Sequence, residues 1–121
     1  IEAAQRGHTV SIFESNAQIG GQFNIAKNIP GKEEFKETIR YFETQIKNLG
    51  IKLILNKKIT LENLKNLDFE EFIFSTGISP RLPNIEGIES EKCISYPELI
   101  LGKKTAGKKV AIIGAGGIGF D

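Results

Sequence analysis

Four short groups of residues in this chain have types and spacings suited to holding a nucleotide. Gly114-Ala115-Gly116-Gly117-Ile118-Gly119 is a G-x-G-x-x-G turn directly after the apolar run Lys109 to Ile113. In such a turn the first glycine bends the chain tightly. The second lets the backbone approach a pyrophosphate, and the third allows close packing of helix on strand. The pyrophosphate rests on the N-terminus of the helix that follows. Glu14 closes the apolar run Thr9 to Phe13, and an acceptor-only carboxylate in that place can take two ribose hydroxyls. Gly20-Gly21-Gln22 follows in the next loop, with two bare backbone units whose N–H groups can face a phosphate or ribityl chain. Thr76-Gly77 ends the run Phe72 to Ser75, at the kind of strand edge where α/β proteins bind ligands.

Each group also has an ordinary reading: a solvated carboxylate, a flexible turn, a plain strand-to-loop turn. Lys32 opens a helix, where a cation opposes the dipole. It is either solvated or offsets that cost by meeting an anionic ligand. His8 reads as a surface turn residue and Cys93 as a small, half-buried apolar one. The sequence supplies no Ser/His/Asp set, no catalytic carboxylate pair and no metal-ligand cluster, so no catalytic or metal residue is assigned.

The elements that must position these groups follow from apolar spacing. Ile1 to His8 reads as the last turns of a helix stopped by Gly7. Thr9 to Phe13 is then a strand, and Ser15 to Gly31 a loop long enough to carry function. Phe35, Ile39, Phe42, Ile46 and Leu49 make one helical stripe, which Gly50 ends. Ile51 to Leu55 is a second strand, and Leu61, Leu64 and Leu67 suggest a short helical turn. Phe69 to Ser75 is expected as a buried strand and Lys109 to Ile113 as another, with a small helix at about Tyr96 to Leu101. Strands separated by helices predict an α/β domain with a parallel sheet.

Composition narrows the partners. The 121 residues are 40% hydrophobic and carry 16 basic against 15 acidic side chains, a net charge of +1. Charges are interspersed, which argues against nucleic acid or an anionic membrane as partner. The apolar runs are far shorter than a membrane span, and no signal peptide is visible. One cysteine leaves no internal disulfide or cluster site and fits a cytoplasmic setting.

Taken in order, Arg6-Gly7-His8, Glu14, Gly20-Gly21-Gln22-Phe23, Ser75-Thr76-Gly77 with Pro80-Arg81, and the final glycine turn resemble the two-dinucleotide-binding flavoproteins. Ile19 to Lys27, Ile29 to Phe35 and Gly114 to Asp121 narrow this to similarity with the NADPH-dependent 2,4-dienoyl-CoA reductases of bacteria, which share their plan with trimethylamine dehydrogenase. The resemblance implies a Rossmann-like FAD-binding domain segment, incomplete at both ends, with FAD and NADPH as cofactors. It also implies FMN and a 4Fe–4S cluster held by remaining domains of the same protein. By the same resemblance Glu14 binds the adenosine ribose, Gly20, Gly21 and Gln22 face the FAD phosphates and ribityl chain, and Lys32 meets FAD. Ile59 contacts the adenine through its backbone, and Thr76 and Gly77 lie under FAD. Gly114, Gly116, Gly117 and Gly119 begin the NADPH site.

The expected division is 1–80 for part of the FAD domain, 81–107 for a linker and 108–121 for the start of the NAD(P)H domain. The chain thus reads as an internal piece of a larger protein, without activity by itself. Two other readings stay open. One is a related flavoprotein of the glutamate synthase small subunit or amine dehydrogenase type; the other is a non-catalytic truncated module.

Overall fold

The computed structural model describes residues 1–121. Two helix–glycine–strand units set up the architecture. Helix α1 (Glu2–Gln5) ends at Arg6, and helix α3 (Phe35–Asn48) ends at Leu49. In both, the next residue is a glycine with positive φ, +91° at Gly7 and +65° at Gly50. The following N–H groups turn back onto the last helical carbonyls: His8 onto Ala3 and Gly7 onto Ala4, then Ile51 onto Ile46 and Gly50 onto Lys47. This double closure satisfies carbonyls that would otherwise be orphaned and releases the chain straight into a strand.

The two strands so released, β1 (Ser11–Phe13) and β2 (Lys52–Ile54), pair in parallel with Ile12 opposite Leu53. Their ladder runs past the strands proper. Lys52 N–H donates to Val10, Glu14 N–H to Ile54, and Lys57 N–H to Glu14. Helix α3 is the crossover that parallel pairing requires. Its stripe is oriented as the spacing predicts. Ile39 and Ile46 are buried, and with Ile29 and Ile51 they are the only buried residues. Between β1 and α3 lies a further helix, α2 (Phe23–Ala26). Phe23 stacks on Phe35 of α3 with ring centroids 4.7 Å apart, which fixes the Gly20–Gly21 turn against the crossover helix.

Three sequence expectations are corrected. The stretch Ser15 to Gly31 is not all loop, because α2 sits within it. Phe69 to Ser75 and Lys109 to Ile113 are not strands, and they are not buried. Ile73 is 88% exposed and Ile113 74%. A strand needs a neighbour for its N–H and C=O groups, and β1 and β2 pair only with each other. Phe69 alone is anchored, edge-on to Phe13 of β1 at 6.1 Å and to Phe72 at 5.9 Å. The remaining elements are short: α4 (Leu61–Lys65), α5 (Tyr96–Ile100) and α6 (Gly117–Phe120).

Candidate functional site

Glu14 leaves the carboxyl end of β1 and immediately organises the loop after it. Its Oε1 accepts hydrogen bonds from Asn16 N–H at 2.7 Å, Asn16 Nδ2 at 2.8 Å and Ser15 Oγ at 3.2 Å. All three donors converge on one oxygen, so Oε2 remains open to accept from elsewhere. The carboxylate is thereby preorganised by its own turn, and one face stays available.

The two glycines of the next loop do different jobs. Gly20 has φ +117°, and a Cβ there would lie 2.8 Å from Asn24 Nδ2 and 3.0 Å from Ile39 Cδ1. The Asn24 amide is itself committed, donating to the Ile19 carbonyl at 2.8 Å. Gly20 is therefore required by packing. Gly21, with φ +48°, has open space where a side chain would be, so its bare backbone is the part that can face a ligand. Gln22 caps α2 and reaches across to distant segments. Its Nε2 donates to the Ile78 carbonyl at 3.5 Å, and its Oε1 accepts from Tyr96 Oη at 3.4 Å. These are long bonds, but they bring the Gly20–Gln22 turn to the chain just after Thr76 and Gly77. Both Thr76 and Gly77 are exposed.

The final glycine turn shows the same division of labour. Gly114 has φ +109°, and a Cβ on Gly119 would strike the Gly114 carbonyl oxygen at 2.5 Å. The first and third glycines close the turn, while Gly116 and Gly117 have open space around them. Gly119 and Phe120 N–H groups both return to the Gly116 carbonyl as α6 begins.

Lys32, expected to meet FAD, has a different partner. Its Nζ lies 2.6 and 2.7 Å from the two carboxylate oxygens of Asp121, at the end of the glycine turn. Ile59 is half-buried just before the Thr60 cap of α4, two residues after Lys57, whose N–H donates to the Glu14 carbonyl. Where α2, α5 and α6 meet there is a cavity of about 100 Å³, lined by Gln22, Ile25, Ile29, Tyr96, Ile118 and Asp121 among others. Tyr96 and Asp121 are the partners that sequence reasoning missed. They lie 74 and 89 residues from Gln22 and Lys32, and no local spacing signals such pairs.

Tyr96 is held by a strongly capped helix. The Glu98 carboxylate accepts from Ser95 N–H at 3.0 Å and from Ser95 Oγ at 2.8 Å, and Lys104 Nζ lies 3.1 Å away. The Ser95 backbone N–H, then the Ser95 hydroxyl, then Lys104 pull its pKa down to about 2. Glu33 is also lowered, chiefly by its own backbone N–H and then by that of Gly31.

The sequence model of the pyridine nucleotide-disulphide oxidoreductases matches residues 1–121. The chain belongs to that family. Its fold is accordingly a Rossmann-like FAD-binding segment, and FAD and NAD(P) binding are the family's chemistry. Among the relatives of this pyridine nucleotide-disulphide oxidoreductase segment is the cinnamate reductase of Clostridium sporogenes. It is 35% identical over 120 residues, which are 98% of this chain and 18% of that protein. The metal reductase of Desulforamulus reducens is 32% identical over 123 residues, again 98% of this chain and 18% of that protein. The solved structure of a 2-naphthoyl-CoA reductase in complex with 2-naphthoyl-CoA superposes with a TM-score of 0.81 at 37% identity. That match covers 87% of this chain and 16% of the other. The chain thus spans under a fifth of the length of these proteins. No helix is long and apolar enough to cross a membrane.

Proposed function

We propose that this chain is the FAD-side segment of an NADPH-dependent reductase acting on a conjugated acyl thioester of the 2,4-dienoyl-CoA class. The observation that carries the reading is Glu14. It is a preorganised carboxylate with one free oxygen at the carboxyl end of a parallel strand, in the same loop as the open backbone of Gly21. That is where the adenosine half of a dinucleotide is gripped in this architecture. Cinnamate and 2-naphthoyl-CoA, named for two of the relatives, both present conjugated unsaturation beside a carbonyl, which supports the substrate class.

The residues fit a bound FAD. Glu14 Oε2 is open to ribose hydroxyls, and Gly21 leaves room for the phosphates beside Gln22. Ile59 is suited to meet the adenine through its backbone, and Thr76 and Gly77 lie next to the Ile78 carbonyl that Gln22 reaches. Gly114 and Gly119 shape the turn on which Gly116 and Gly117 would receive the NADPH pyrophosphate. Held by Glu14, Gly21 and Gln22, FAD would supply a hydride acceptor for NADPH, and a 4Fe–4S cluster and FMN elsewhere in the intact protein would supply the route for electrons to the conjugated thioester. This chain's own part is to bind and orient the nucleotides and to set their mutual approach. The reading divides the chain into 1–80 (FAD unit), 81–107 (linker) and 108–121 (start of the NADPH unit), in a cytoplasmic enzyme.

The test is Glu14→Ala in the intact enzyme. FAD affinity should fall by about 1.5–3 kcal/mol, the range for hydrogen bonds to a charged group, as measured by flavin retention through dialysis. An enzyme that keeps full FAD with parent affinity overturns the site assignment. NADPH consumption on adding a 2,4-dienoyl-CoA tests the substrate class, and its absence in the flavin-loaded intact enzyme overturns that part.

A further inference from the structure

Three elements from separate parts of the chain converge at one place: α2 beside the Gly20–Gly21 turn, α5 in the stretch 81–107, and α6 behind the final glycine turn. Apolar side chains meet at the centre, with Ile25 and Ile29 of the first region lining one cavity with Ile100 and Ile118. Polar contacts close two of its edges. On one side Tyr96 Oη donates to Gln22; on the other the Lys32 ammonium sits between both oxygens of Asp121. The ion pair is partly shielded, its side chains being 38% and 24% exposed, so solvent screens it less than a free surface pair.

We infer that Lys32–Asp121, together with Gln22–Tyr96, is a latch that fixes the NADPH-binding turn against the FAD loop. This rests on the proposed reading, in which 108–121 opens a second nucleotide unit. Hydride transfer needs the two rings at near-contact distance and in line, so an error of an ångström in the relation of two units is costly. Of the glycine turn's own side chains only Ile118 lines this cavity, and the stretch 81–107 reaches it with Tyr96 and Ile100, none of them charged. Asp121, at the end of the turn, supplies the handle, and Lys32, at the entry to the crossover helix, supplies the fixed point. Both are positioning residues.

The experiment uses the intact, flavin-loaded enzyme. Asp121→Asn and Lys32→Gln should each slow NADPH-driven flavin reduction about two- to fivefold, the range for a partly exposed ion pair, with dithionite reduction unchanged. Amide hydrogen exchange of 116–121 and of 96–101 should speed up in both variants, measured without NADPH. The charge swap, Lys32→Asp with Asp121→Lys, should recover both readouts, and Lys32→Arg should retain them. Single variants that exchange like the parent, or a swap that recovers neither readout while Lys32→Arg behaves as the parent, overturn the latch. So does loss of FAD from Asp121→Asn, since the pair would then serve the cofactor directly. Failure of the Glu14→Ala test removes the FAD assignment, whereas the exchange rates of the swap decide the latch independently.

Discussion

The stretch from Thr9 to Lys57 and the stretch from Asp68 to Asp121 have similar kinds of sequence and different fates. Both contain short apolar runs bounded by glycine or polar residues, and both contain a glycine turn suited to a nucleotide. In the first, the runs become paired strands, and the four buried residues all fall from Ile29 to Ile51. In the second, Phe72 to Ser75 and Val110 to Ile113 stay unpaired, with Phe74 70% and Ile112 70% exposed. The difference teaches that an apolar run is only half of a strand. Helix α3 delivers β2 alongside β1, while nothing in the chain delivers a partner to the later runs.

The largest effect expected from this contrast is on stability. Ile46→Ala in the chain should cost about 2–5 kcal/mol, as for other buried isoleucines, and should abolish the helical signal of α3 in circular dichroism. Ile113→Ala, at 74% exposure, should change stability by no more than about 0.5 kcal/mol. Equal effects from the two substitutions would erase the contrast between the regions.

A smaller effect separates the adjacent glycines. Gly20→Ala combines a strained φ of +117° with contacts at 2.8 and 3.0 Å on committed neighbours, and should cost about 2–3 kcal/mol. Gly21→Ala meets open space and should cost only the left-handed backbone penalty of about 1 kcal/mol. Urea denaturation of the pair measures this, and the reverse order would show that the turn is not held by Asn24 and Ile39.

The smallest effect is a pH response in the second region. Glu98 has its folded pKa lowered from 4.5 to about 2 by Ser95 and Lys104. A depressed carboxylate contributes stability that is complete above its unfolded value and lost as pH falls toward the folded one. The cap of α5 should therefore weaken between about pH 4.5 and 2. The Ser95 amide shift in nuclear magnetic resonance should report the change, and Glu98→Gln should remove it. A Ser95 shift that titrates near 4.5 would mean that the carboxylate is not held by its cap.

Residue spacing revealed much of this molecule for clear physical reasons. The stripe Phe35–Leu49 repeats at the helical period over several turns, and Gly7 and Gly50 mark stops that depend on one residue's backbone freedom. Such local signals survive in sequence because helix hydrogen bonds are local. Helix α2 left no such trace, since four residues are too few to display a period. The glycine motifs were legible as turns, yet the separate duties of Gly20 and Gly21 were not, because only the approach of Asn24 and Ile39 distinguishes them.

By itself, then, the sequence determined the α3 crossover, the two glycine-released strands, the place of Glu14 at a strand end and the family to which the chain belongs. Tertiary structure alone decided which apolar runs became strands, which glycine in each turn is filled against and which is open, and that Lys32 meets Asp121 across 89 residues of chain. Helix periods and glycine stops act over a few residues and are written in order. Pairing, close packing and ion pairing depend on what the folded chain brings to the other side.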